Sequence, residues 1–313
     1  MLKFIAKRVG RSLITLFLII TIVFSLLRLM PIEGYFQNFD KLTPAQVQTG
    51  IAAMGLDKPL PVQLFHFYKQ LLHGDLGVSR IYRANVPITE ILATKVPLSL
   101  KLGLISMALA MLVGMTLGTL MARSKGRLLD GIGTGFIVFI QAVPAAVYFL
   151  FIQLFGTDWF GLPMLFKASN PASWILPVVS LSLGNIAYYA MWLRRYMVDE
   201  STKDYVQLAR AKGVSGRKIM SSHIFRNAFV PMVQYIPSSL LNTVIGSIYI
   251  ESLYSIPGMG GLLVDVIKRQ DNAMVQIIVL LYASVGILGL ILGDILMAMV
   301  DPRISYTKKE GAR

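Results

Sequence analysis

The sequence contains no cysteine, which excludes disulfides, thiolate metal sites and cysteine nucleophiles. Acidic residues are scarce, 16 against 30 Lys and Arg, for a formal charge of +14. Three histidines, His66, His73 and His223, are scattered without an HExxH or other paired spacing, so no metal ligation is expected. No GxxxxGK[ST] stretch occurs, nor any Gly-Lys pair, so no P-loop is present to cradle a nucleotide. No GxSxG elbow occurs, and no Ser, His and Asp cluster follows from spacing. The expectation is a chain that does no covalent chemistry and binds no cofactor.

Apolar residues are what the sequence has in abundance. They make up 55% of 313 residues at a mean hydropathy of +0.64, too greasy for a soluble domain and too long for one anchor. A nucleic-acid partner would need the basic charge gathered on a soluble face. Here it falls between apolar runs, so none is expected. Six runs reach the roughly 20 residues that a crossing needs: Leu13 to Leu29, Leu98 to Met121, Ile132 to Phe155, Trp174 to Leu193, Ala228 to Ile250 and Val275 to Val300. The first follows Lys3, Lys7, Arg8 and Arg11 and reads as an uncleaved span. With the amino terminus inside, the inner segments hold 19 basic and six acidic residues and the outer ones, counting Arg28 and Lys101 at the outer ends of their spans, eleven and nine. This asymmetry places both termini in the cytoplasm. The expected fold is all-α, a single polytopic domain over 1–313 with six transmembrane helices.

The outer segment 30–97 is long and reads as folded. Thr43-Pro44 supplies an N-cap and first-turn proline for a helix through Met54, closed by Gly55. Pro61 opens a second helix with Leu64, Phe65, Tyr68, Leu71 and Leu72 on one face. This cap either packs on the outer mouth of the bundle or receives a soluble partner. Within the spans, Gly114/Gly118 and Gly289/Gly293 form GxxxG pairs suited to close helix packing. Pro144 and Pro177 are candidate kinks. Gln141, Gln153, Asn185 and Asn242 either line a water-filled path or bond across helices. Asp294, the one ionisable residue deep in a predicted span, should face protein or water. A central charge facing lipid costs roughly 2.5 to 3.5 kcal/mol. The 16 methionines are read as flexible apolar packing. After the fifth span, Glu251 to Gly261 (ESLYSIPGMGG) is an ordered outer turn, and Leu262 to Arg269 a short surface helix.

The chain is organised around 203–226. Tyr205, Leu208, Ala209 and Lys212, spaced i, i+3, i+4 and i+7, predict a helix with a mostly apolar stripe. Gly213 ends it, and Ser215 is placed to cap a second turn through Arg217, Lys218, Ile219 and Met220. The result is a basic hairpin with six Lys or Arg and one acid, Asp204.

These residues resemble a known family. Tyr205-Val206, Ala209-Arg210-Ala211-Lys212-Gly213, Arg226-Asn227-Ala228 and Pro231 look like the cytoplasmic coupling loop of ABC importer permeases of the dipeptide, oligopeptide and nickel group. Gly55-Leu56-Asp57-Lys58-Pro59, His73 to Gly77 with Ser79, Glu251 to Gly261 and Asp301-Pro302-Arg303 resemble that family's landmarks in its order. The resemblance implies a type I ABC importer permease fold in a prokaryotic cytoplasmic membrane. It also implies a second homologous permease, one or two ATP-binding subunits that use ATP and Mg, and an extracytoplasmic substrate-binding protein. On this reading Tyr205, Ala209, Arg210, Ala211, Lys212, Gly213 and Arg217 couple to the ATPase. The small residues allow close approach, and Arg210, Lys212, Arg217 and Lys218 meet acidic and carbonyl groups. Glu251, Pro257, Gly258 and Gly260 are candidate contacts for the binding protein. Two departures stand out: Gln207-Leu208-Ala209 lies where the wider family has Glu-Ala-Ala, and the outer segment Gly156 to Ser173 is short. Peptides are the expected substrates, with nickel chelates or another small solute as alternatives. An ion-coupled secondary carrier is the rival from another class, with only Asp294 to support it.

Overall fold

The computed structural model describes residues 2–244 and 248–300, with side chains from Ala6 onward except at 240 and 242–244. The Asn242 side chain and the Asp301-Pro302-Arg303 landmark therefore lie outside the described residues. Helix α1 spans Leu2–Leu27, α2 Pro44–Met54, α3 Leu60–Leu72 and α4 Ile88–Arg123. After these come α5 (Leu128–Ala142), α6 (Ala145–Phe160), α7 (Ile175–Glu200), α8 (Asp204–Ala211) and α9 (Gly216–Lys218). A π-helical stretch, Ile219–Phe225, leads into α10 (Arg226–Val233), α11 (Tyr235–Val244), α12 (Ile248–Leu253), α13 (Met259–Lys268) and α14 (Asn272–Val300). Among the described residues the only β pairing is an isolated bridge between Val78 and Pro87.

Among the described residues, four helices are long and apolar enough to cross a membrane: α1, α4, α7 and α14. The third predicted span is instead two helices, α5 and α6, meeting at 109°. Pro144 at that joint cannot donate to the carbonyl one turn earlier, so the helical ladder stops there. Pro177 produces no kink. It sits in the first turn of α7, where the missing N–H would have had no helical partner. The fifth predicted span, Ala228 to Ile250, is divided among α10, α11 and α12. Pro237 removes the donor for the carbonyl of Val233, the residue at which α10 ends.

The central pair is α4 against α7. A Cβ on Gly114 would lie 2.9 Å from Ile186 O, and one on Gly118 2.7 Å from Ala190 O, so the first GxxxG pair sets the approach of the two backbones. The second pair brings α14 onto the α10–α11 joint, where a Cβ on Gly293 would meet Gln234 O. Helix α1 is the outermost and lies on α14. The outer cap packs on the flank of α1: Tyr68 stacks on Phe17 at 5.1 Å and its hydroxyl lies 2.9 Å from Thr21 Oγ1. α2 has the predicted N-cap at Thr43, which Gln46 completes as a capping box, and ends at Gly55 with φ +67°. On α3 the packing face is Leu64, Phe67, Tyr68 and Leu71, while Phe65 and Leu72, expected on it, are exposed.

Candidate functional site

The hairpin forms where the sequence places it. Helix α8 closes with two bonds, Val214 N–H to Ala209 O and Gly213 N–H to Arg210 O, a turn that requires a left-handed residue between them. Gly213 supplies it at φ +74°, with nothing within 4 Å of a Cβ there. Ser215 occupies the N-cap position of α9, but only its carbonyl is used, by Ile219 N–H.

The buried stripe of α8 differs from the expected one. Val206 and Ala209 point inward, joining Leu193, Met197, Ile219 and Ile224 in one apolar cluster. Leu208 is 56% exposed. The eight-residue helix carries apolar side chains on two sides, and packing against α7 chooses between them. Ala209 thus packs on its own chain, and the exposed rim is Leu208, Arg210, Ala211, Lys212, Gly213, Arg217 and Lys218.

Tyr205 is an internal joint. Its hydroxyl donates to Glu200 Oε1 at 2.5 Å, lies 3.3 Å from His223 O and accepts from Asn227 Nδ2 at 2.9 Å. One phenol thereby links the end of α7, the π-helical stretch and the start of α10. Nearby, Arg194 of α7 grips Asp130 of α5 through Nε and Nη2 at 2.5 and 2.7 Å, and Asp130 also accepts from Gly126 N–H. Sequence reasoning missed this fork; the only signal was a lone acid in a basic loop. A cavity of about 490 Å³ lined by Arg123, Arg217 and Phe225 separates the end of α4 from the hairpin.

The glycine-rich turn Glu251 to Gly261 is a clamp. Glu251 is buried, with Oε1 accepting from Ser99 Oγ at 2.8 Å and Oε2 from Gly261 N–H at 2.9 Å. A Cβ on Gly258 would come within 2.5 Å of Ser99 Oγ and 2.6 Å of Glu251 Oε1, so only glycine lets this backbone close over the carboxylate. Of the four candidate contacts for a binding protein, Glu251, Gly258 and Gly260 are therefore buried, and Pro257 alone is exposed.

A second buried carboxylate went unnoticed in the sequence. Asp271, wholly buried, accepts at Oδ2 from Ser79 Oγ and from the consecutive amides of Arg80, Ile81 and Tyr82, at 2.7 to 3.1 Å. Its Oδ1 accepts from Met274 N–H in the first turn of α14. The signal available was Asp271-Asn272 ahead of an apolar run.

Among the candidate path residues, Gln153 is buried and donates to Met164 O and Leu253 O, a cross-link rather than a lining. Gln141 is exposed, touching Met191 Sδ at 3.4 Å, and Asn185 is half-buried on α7. Asp294 pairs with Arg8 of α1 and accepts from Gln234 Nε2 at 3.2 Å, so it faces protein, as expected.

Comparison with known proteins adds the following. The family described as the binding-protein-dependent transport system inner membrane component matches residues 114–306, and the N-terminal part of such membrane components matches 1–102. The dipeptide transport system permease protein DppB of Lactococcus lactis subsp. cremoris is 35% identical over 97% of this chain and 99% of its own length. The oligopeptide transport system permease protein OppB of Haemophilus influenzae is 33% identical over 98% of this chain and 100% of its own. Among solved structures, the inward-facing MetNI methionine ABC transporter aligns with a TM-score of 0.54 at 15% identity. It covers 68% of this chain and 97% of that one, a likeness of fold.

Proposed function

Because the chain belongs to the family of binding-protein-dependent transport system inner membrane components, we propose that it is the permease subunit of an ATP-driven importer of dipeptides or oligopeptides in a prokaryotic cytoplasmic membrane. It pairs with a second permease to form the translocation path. An extracytoplasmic binding protein delivers the substrate, and one or two ATP-binding subunits supply the energy from ATP and Mg. The chain is a single permease domain over 1–313, with both termini in the cytoplasm and six crossings if α10 to α12 make up a broken fifth. It carries out no covalent chemistry of its own.

The observation that carries this reading is the construction of the hairpin. Its exposed edge combines one large apolar residue, Leu208, with Arg210, Lys212, Arg217 and Lys218. Its inner side is fixed to α7 and α10 through Tyr205, Val206 and Ile224. A surface of this kind docks a partner by an apolar centre with a charged rim and passes the partner's displacement to the helices behind it as a rigid lever. Alternating access follows if that lever tilts α7 and α10 relative to the second permease. Asp294 is engaged by Arg8 and Gln234, which leaves the secondary-carrier reading without a free intramembrane acid.

The test is affinity purification of the chain from solubilised membranes, wild type against Arg210→Glu. The wild type should bring down a second permease and a P-loop ATPase, and the variant should lose the ATPase while keeping the permease. A chain that transports in liposomes without ATP or ATPase would overturn the reading.

A further inference from the structure

Helix α3 sits deeper than a cap on the outer face of a membrane protein would. The apolar stretch of α1 runs from Ala6 to Leu27, and 11% of its most apolar window is buried, so this helix is largely bare. Against it, the Tyr68 hydroxyl donates to Phe17 O at 2.9 Å and lies 2.9 Å from Thr21 Oγ1, while the ring stacks on Phe17. At a rise of 1.5 Å per residue, Thr21 and Phe17 lie roughly 9 and 15 Å back from Leu27. The larger figure is half of a hydrocarbon core about 30 Å thick. Phe67, the neighbouring residue on α3, instead meets Phe24 near the end of the span. Adjacent side chains thus touch well-separated levels of α1, so α3 crosses α1 rather than running beside it.

The faces of α3 are sorted to match that depth. Next to Tyr68 around the helix come Phe65 and Leu72, a heptad apart on one flank and 67% and 86% exposed. Through Tyr68 and the half-exposed Phe17, this flank joins the bare apolar surface that Leu13, Ile14 and Leu18 form on α1. Gln63, His66 and Gln70 point the other way, into a polar pocket of about 260 Å³ shared with Lys58 and with Arg28, the residue after Leu27. The polar side of α3 therefore looks toward the end of the span and the apolar flank toward its middle. Lys69, exposed at the border between the two, can snorkel to headgroups.

We propose that α3 lies in the membrane, across α1 and within the leaflet at its Leu27 end, with Phe65 and Leu72 in contact with lipid acyl chains. An amphipathic helix lying flat in the interface is immersed by about 5–10 Å, from which depth a tyrosine can reach the middle of a neighbouring span. A water-soluble partner stops at the headgroups and has no access to this flank. The placement rests on the membrane-permease reading, because depth along α1 is defined by its spanning. It turns the outer segment from a free cap into one anchored to the bilayer through α3.

The chain has no cysteine, so single cysteines can be introduced and spin-labelled directly. Phe65→Cys, Leu72→Cys and His66→Cys, with Ile22→Cys on the exposed side of α1 as reference, are examined in the full chain. Each is assembled with cysteine-free partner subunits in vesicles of phosphatidylcholine and phosphatidylglycerol. Collision of the label with oxygen, which concentrates among acyl chains, is compared with collision with water-soluble chromium oxalate. The labels at 65 and 72 should favour oxygen severalfold, as the one at 22 does, and the label at 66 should favour chromium. On the unsubstituted protein, a phosphatidylcholine carrying a diazirine midway along its acyl chain should mark the segment 60–72 on illumination. Chromium access at 65 and 72 beside oxygen access at 22 would overturn the proposal while leaving α1 a span. Shielding of 65 and 72 from both reagents would overturn it by putting protein on that flank. Chromium access at 22 would overturn it together with the membrane-permease reading.

Discussion

Ser79 Oγ donates to Asp271 Oδ2 at 2.7 Å across 192 residues of chain, and this bond closes the outer segment over the start of α14. The same oxygen collects three consecutive amides, so the carboxylate organises the whole turn. Asp271→Ala would leave those donors buried and unbonded, and a loss of about 3 kcal/mol or more is expected. Ser79→Ala, which also frees Arg83 N–H, should cost about 1–3 kcal/mol, with Asp271→Asn milder than Asp271→Ala. Thermal unfolding in detergent, followed by circular dichroism, ranks the three. An Asp271→Ala protein as stable as wild type would refute the organising role.

Gly213 stands in open space at a left-handed φ, so what it tolerates is decided by the backbone alone. Alanine there should cost about 1–2 kcal/mol locally. Proline fixes φ near −65° and deletes the N–H to Arg210 O, so it should dismantle the turn. Membrane insertion should be normal, with ATP hydrolysis by the assembled transporter no longer stimulated by substrate. Full stimulation in Gly213→Pro would remove the hairpin from the coupling mechanism.

Leu208 and Val206 separate docking from folding on one helix. Leu208→Asp changes an exposed side chain. It should leave the melting temperature near wild type and weaken ATPase recovery about tenfold, the scale of one interface anchor. Val206→Ala opens a gap under α7 and should destabilise by about 2 kcal/mol, with docking retained in the folded fraction. Reversed results, measured by pull-down and thermal unfolding together, would mean that the helix turns its other side to the partner.

Local features were legible in the sequence where a single residue dictates the backbone. Thr43-Pro44 and Gly55 bounded α2 correctly, Pro144 marked the break between α5 and α6, and Gly213 marked the hairpin turn. The glycine pairs on α4 and α14 also foretold close packing. Illegible were the features that depend on what lies across the fold. Leu208 and Val206 fit a helical stripe equally well until α7 is in place. The expected face of α3 took in Phe65 and Leu72 and omitted Phe67, because apolar residues surround that helix on most sides. Glu251 in a glycine-rich turn read as a surface acid, and only the Ser99 hydroxyl from a distant helix explains its burial. Asp271 gave no sign of its three amides, since those belong to a loop almost two hundred residues earlier.

The pairing of Arg8 with Asp294 sets a timetable for synthesis. The helix bearing Arg8 leaves the ribosome about 286 residues ahead of the one bearing Asp294. At about 5–20 residues per second, the cation waits on the order of tens of seconds for its counter-charge. Through that interval α3 is already there to pack on α1, but Arg8 lacks its partner, and a message truncated before α14 would leave it so. The completed pair thus marks the moment at which α1 and α14 are both in place.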